Sequence, residues 1–448
     1  MTTLALEGLG ALLGIALIGW ALRELRVYPL IGAGYRAKVL CTAIFGSGRP
    51  LDAQLLAQVS DDAYLLLRPF RVRVDYHQRQ VTASLFSGCA RTALHRDGLG
   101  ATLLAPGVSS PVGRLPARRS AAVRGWTEAP GSVELQRLVD RAFEEPNPGR
   151  LRRTRAVVVV HDGTIIAERY APGCHAGMPL PGWSMAKSVL NALVGVLVLD
   201  GRLSLEQREV LPEWRAPDPR AAITIEDLLR MRSGLRFSEV YGNPWSDVLH
   251  MLYNCHDTAA YAAGRPLAAT PGTAFSYSSG TTNILSRIVR TIVGDEDYFG
   301  FPRRALFDRL GMPSAVLEPD GAGTFVCSSY MLATARDWAR FGQLFVNGGR
   351  CDDTTIVSDR WIDFSTTPTP QSDGRFGAHW WLKLNPEIGG DSASARAIAA
   401  DAFFAVGHEG QTLTVIPSKR LVVVRLGASI YIDAWNQAEF IAGIQEAV

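Results

Sequence analysis

Ser184-Met185-Ala186-Lys187 sets a serine and a lysine three residues apart at the head of an apolar run that continues from Ser188 to Leu199. On a helix such residues share a face, so hydroxyl and amine lie side by side. A serine becomes a nucleophile when a neighbouring base takes its proton. A lysine desolvated in apolar surroundings can lose its charge near neutral pH and be that base. The chain holds only four lysines (Lys38, Lys187, Lys383 and Lys419) among 46 lysines and arginines. Arginine could not serve, because its guanidinium stays protonated in proteins. Taken alone, the tetrad also fits a helix N-cap serine followed by a snorkelling surface lysine. The run after it is apolar nearly all round, which predicts a central buried helix instead.

Two more segments carry chemistry. Phe275-Ser276-Tyr277-Ser278-Ser279-Gly280 offers a tyrosine in a short polar loop before a helix expected from about Thr281. A phenol beside a lysine ammonium ionises more easily and can relay protons. Gly407-His408-Glu409-Gly410-Gln411 falls between two strand-like stretches, where glycines permit close approach and backbone N–H groups could face a carbonyl oxygen. Each segment alone fits a core tyrosine or a glycine-rich turn equally well.

Ser-x-x-Lys, then Tyr-x-Ser, then His-x-Gly together resemble the serine β-lactamase and penicillin-binding-protein superfamily. The likeness is greatest to the esterase, D-aminopeptidase and 6-aminohexanoate-dimer hydrolase branch beside the class C β-lactamases. It extends to Leu228-Leu229-Arg230-Met231-Arg232-Ser233-Gly234-Leu235 and Pro271-Gly272-Thr273, and covers about 130 to 448. The resemblance implies a two-step acyl transfer on an amide or ester of a small or peptide-like substrate, without metal or organic cofactor. Ser184 would attack, Lys187 and Tyr277 would share general-base duty, and the backbone N–H groups of Ser184 and Gln411 would form the oxyanion hole. Tyr241, Ser279, His408 and Gly410 would contact substrate. Two departures turn the expectation away from antibiotics. Ser279 stands where class C β-lactamases have asparagine, and His408 stands where most relatives carry the lysine of Lys-Thr-Gly. A D-Ala carboxypeptidase-like or weak β-lactamase activity is the alternative enzyme; a non-catalytic sensor on the same fold is the alternative outside enzymes.

These residues need a scaffold. Arg155 to Val160 and Thr164 to Tyr170 flank His161-Asp162-Gly163 as a hairpin, and three further strands are expected at 402–406, 412–416 and 421–426, before a terminal helix from about Asp433. Strands at both ends with helices between predict an α+β fold, one antiparallel sheet closed by both termini and packed on a helical region. This hydrolase domain is expected at 126–448, after a lead-in segment at 27–125 that reads as a small domain or membrane-proximal arm.

The uncharged run Gly8 to Leu22 reads as a single membrane anchor within residues 1–26. Arg23, Arg26, Arg36 and Lys38 follow it, which favours a cytoplasmic body; the resemblance favours a periplasmic one. A net charge of +3 with no basic stripe gives no sign of nucleic-acid binding, and six cysteines without CxxC spacing argue against a zinc site.

Overall fold

The computed structural model describes residues 27–60, 62–105, 108 and 125–448. The expected anchor lies outside the described residues. Among those described, no helix is long and apolar enough to cross a membrane.

The first described part is helical over residues 27–41 (α1) and tightens into a π-helical turn at Thr42–Gly46. A four-stranded antiparallel sheet follows: Arg71–Asp75 (β1), Gln80–Ser84 (β2), Ala90–Arg96 (β3) and Gly100–Leu103 (β4), in that order. Thr127–Glu128 (β5) leads into the main sheet with Ala156–His161 (β6) and Thr164–Tyr170 (β7); Phe403–Gly407 (β8), Gln411–Ile416 (β9) and Leu421–Leu426 (β10) complete it. Its order is β8-β9-β10-β6-β7-β5. Leu421 pairs with His161 and Leu426 with Ala156, so the sheet is closed by both ends of the region, as the hydrophobic runs foretell. All neighbours are antiparallel except the short β5, which lies parallel to β7.

Val157 to Val160 do not alternate with polar residues because both sheet faces are covered. Val158 and Val160 face the main core, whereas Val157 and Val159 pack with Val133–Arg141 (α2) and the terminal helix Gln437–Ala447. The helix carrying Lys187, Ala186–Leu199 (α3), is buried from Ala186 through Leu197. Its apolar circumference therefore has the cause inferred from the sequence.

The lead-in segment is no detached arm. Ile31, Leu40, Val81 and Leu103 belong to the same core as α3. Tyr35 of α1 packs edge-on against Tyr253 of the helix Asp247–Asn254, ring centroids 5.3 Å apart.

Candidate active site

Ser184 sits in a tight turn, Trp183–Met185, that feeds α3. The turn begins at Trp183 with φ of 50°, a left-handed conformation that costs energy for a bulky residue and is held by its burial. Ser184 lies at the protein surface of the turn, half-buried, while Lys187 is 2% exposed. Lys187 Nζ meets three oxygens: Ser184 Oγ at 3.0 Å, Ser279 Oγ at 3.1 Å and the Ser328 carbonyl at 2.8 Å. Burial lowers its pKa to about 8, against the opposing pull of Glu239. A lysine in this state exchanges its proton near neutral pH.

Tyr277 is half-buried, with its ring 4.9 Å from Lys187 Nζ and its hydroxyl hydrogen-bonded to Ser184. The three residues singled out by spacing therefore converge. One expectation needs correction. Instead of ionising more easily, the phenol is pushed above its usual range by burial and by Glu239, despite the Ser184 hydrogen bond. Burial thus keeps the Tyr277 proton on its oxygen while it eases loss of the Lys187 proton.

Ser279 heads the helix Ser279–Val293 and is fully buried. It was expected to touch substrate; it binds Lys187 and Glu239 instead, with its backbone N–H donating to Glu239 Oε2 at 2.9 Å and its hydroxyl to Glu239 Oε1. From the same helix, Asn283 Oδ1 accepts from Ser328 N–H at 3.1 Å, which fixes the carbonyl that holds Lys187. Glu239 escaped the sequence reading. It has no motif, and only its place two residues before Tyr241 hinted at a role. Burial raises its pKa, while Lys187 and the Ser279 hydrogen bonds lower it.

Tyr241 does reach the site. It hydrogen-bonds Ser279 and stacks on His408, centroids 4.5 Å apart and planes at 15°. The His408 ring also meets Trp183 edge-on at 5.4 Å. Burial lowers the His408 pKa, so the imidazole is neutral at pH 7.

Strand register decides which backbone N–H of this segment faces the Ser184 turn. Phe404 directs both backbone groups outward to Trp381, with N···O distances of 2.9 and 2.7 Å. Backbone groups alternate sides along a strand, so Phe403, Ala405 and Gly407 point inward to Val415, Leu413 and Gln411. The Gln411 N–H is thus engaged within the hairpin. Its buried side chain also turns inward, donating to Gly427 O at 2.8 Å and accepting from Gly427 N–H at 2.9 Å. Gly407 is extended (φ −121°, ψ 161°), and a peptide N–H points opposite to the preceding carbonyl. The His408 N–H therefore faces out of the sheet edge, along which the nucleophile turn runs. Gly410 turns its carbonyl to Arg425 Nη1 at 2.8 Å, and so shapes the turn. Among the described residues, no group of three or more His, Cys, Asp or Glu side chains is placed to hold a metal ion.

The family model described as Beta-lactamase matches residues 139–429. The chain belongs to the beta-lactamase family. It is a serine hydrolase of that family, with the expected α+β fold. It is 25% identical over 306 residues to the 6-aminohexanoate-dimer hydrolase of Paenarthrobacter ureafaciens, covering 61% of this chain and 72% of that protein. A solved structure from Bacillus anthracis, named as a candidate 6-aminohexanoate-dimer hydrolase, is similar with a TM-score of 0.55 and 23% identity, over 69% of this chain and 83% of its own. A family VIII carboxylesterase is similar with a TM-score of 0.55 and 16% identity, over 72% and 99%. Residues 27–125 lie outside the family match.

Proposed function

We propose that this serine hydrolase cleaves an amide or ester of a small or peptide-like substrate through an acyl-enzyme on Ser184. The observation that carries the reading is the buried Lys187, held 3.0 Å from Ser184 Oγ with its pKa lowered to about 8. Lys187 takes the Ser184 proton as Oγ bonds to the substrate carbonyl carbon. The N–H groups of Ser184 and His408 receive the developing oxyanion, a stabilisation whose loss typically costs about 3–4 kcal/mol. Tyr277 protonates the leaving group and is recharged from Lys187; water then releases the acyl group. The similarity to a 6-aminohexanoate-dimer hydrolase supports an amide among the substrates.

Antibiotic hydrolysis is disfavoured. Ser279 is buried among protein partners, and the neutral His408 offers no cation to a substrate carboxylate. The reading keeps residues 1–26 as a membrane attachment, which fractionation with and without them tests. For the chemistry, wild type and Ser184→Ala are exposed to a fluorophosphonate, and adduct mass and p-nitrophenyl acetate turnover are recorded. One adduct and turnover, both lost in the variant, is the expected result. Folded wild type that neither labels nor turns over ends the acyl-enzyme reading and favours a binding protein on this fold.

A further inference from the structure

A cavity of about 320 Å³ opens beside the stacked Tyr241 and His408. That volume falls in the range of about 300–1,000 Å³ typical of small-molecule sites. Two of its walls are already parts of the reacting centre. Tyr241 is tied through Ser279 to Lys187, and His408 touches Trp183, the neighbour of Ser184. Further lining comes from outside the family region: Tyr28, Ile31 and Tyr35 of α1, with Leu66 and Leu67 from the turn Asp62–Leu67. Leu249 and Ile430 also line it.

The lining contains no Asp, Glu, Lys or Arg. Its polar side chains are tyrosines and His408, all uncharged: Tyr28 donates its hydroxyl to the Leu66 carbonyl at 2.8 Å, and burial lowers the His408 pKa. A charged group entering here would lose its hydration without meeting an opposite charge. An apolar group gains from leaving water. Leu66 is 72% exposed at the lip, an apolar contact offered to whatever enters.

Resting on the acyl-transfer reading above, we propose that this cavity is a substrate subsite for an uncharged apolar chain of the ester or amide, and that α1 gives the enzyme this preference. The chain belongs either to the acyl group or to the leaving group, and two substrate series separate these sources. One runs over p-nitrophenyl esters from acetate to decanoate. The other runs over alkyl acetates from methyl to octyl.

The expected result is a rise in kcat/KM of about fourfold per methylene in one series until the cavity is full. The series that rises names the side of the scissile bond. An acyl or alkyl chain of equal length ending in an ammonium group should lose most of that gain. Leu66→Glu, at an exposed position, should flatten the rising series by charging the lip. Gly242→Trp should end the rise at a shorter chain, because a Cβ at this lining residue meets no atom within 4 Å and its ring can fill the space. Thermal unfolding of both variants confirms that they fold. Ser184 labelling with flat series, an ammonium-ended chain preferred, or variants that leave the slopes unchanged would overturn the subsite while the hydrolase reading stands. No labelling and no turnover removes both.

Discussion

Lys187 carries a conflict that its function requires. As an ammonium it satisfies three acceptors with its three protons, but burial favours the neutral amine. Around it, Tyr277 is a neutral phenol, and His379, whose Nδ1 donates to the Lys187 carbonyl, is neutral because burial and Lys187 lower its pKa to about 3. Glu239 is the group that pulls Lys187 back toward the charged form. The base works only when deprotonated, so kcat/KM for p-nitrophenyl acetate should rise with pH along a limb centred near 8 and level off above it. Glu239→Gln removes the charge that favours the ammonium, and the limb should move to lower pH. A limb that stays in place in this variant would show that Glu239 does not act on the lysine. Glu239 acts through Lys187 and Ser279, so it is a positioning residue, and the displaced pH profile is a readout that loss of packing would not produce.

Between elements, the decisive contact is that of the sheet edge with the nucleophile turn. A Cβ on Gly407 would lie 2.2 Å from the Gly182 carbonyl oxygen, although the φ of −121° suits any residue. Gly407→Ala must therefore push β8 from the turn and carry the His408 N–H with it. A displacement of about 1 Å at a reacting centre can cost about 10²-fold in rate. Such a loss is expected in kcat/KM, with the circular dichroism and cooperative unfolding of wild type; unchanged turnover would place the oxyanion donor elsewhere. The same edge shows what the sequence could and could not disclose. The valine runs that form β6 and β10 are local, so the sheet and its closure by both ends were legible. The convergence of Ser184, Lys187 and Tyr277 was legible because their residue types and spacing are themselves the signal. Which N–H faces the cleft depends on hairpin register, since one step along a strand reverses the side. Thus the sequence pointed to Gln411, whereas the register turns the His408 N–H outward. Glu239 was hidden for another reason: a loop carboxylate acquires its role only when tertiary folding lays it against Ser279.

At the scale of the molecule, the segment before the hydrolase domain is locked to it by a buried ion pair. Lys38 Nζ lies 2.5 Å from Glu318 Oε2, with side chains 3% and 2% exposed. Thr42 Oγ1 takes a second Lys38 hydrogen bond at 2.9 Å, and Glu318 Oε1 accepts the Ala101 N–H at 2.6 Å. One carboxylate thus joins α1, β4 and the segment that leads to Ser328. A buried pair adds little net stability over an apolar substitute, but breaking one side strands the other charge at a cost of about 3–5 kcal/mol. Glu318→Gln should show that loss in urea unfolding. Lys38→Met combined with Glu318→Gln should recover most of it, because the stranded ammonium is gone and the amide still accepts from Ala101. If Glu318→Gln costs less than about 1 kcal/mol, the pair is not the lock, and the shared apolar core alone holds the segment. With the lock broken, α1 should hold its place beside Tyr241 and His408 less firmly. Discrimination between long and short chains should then fall in Glu318→Gln and return in the double variant, which would tie the segment's attachment to the enzyme's choice of substrate.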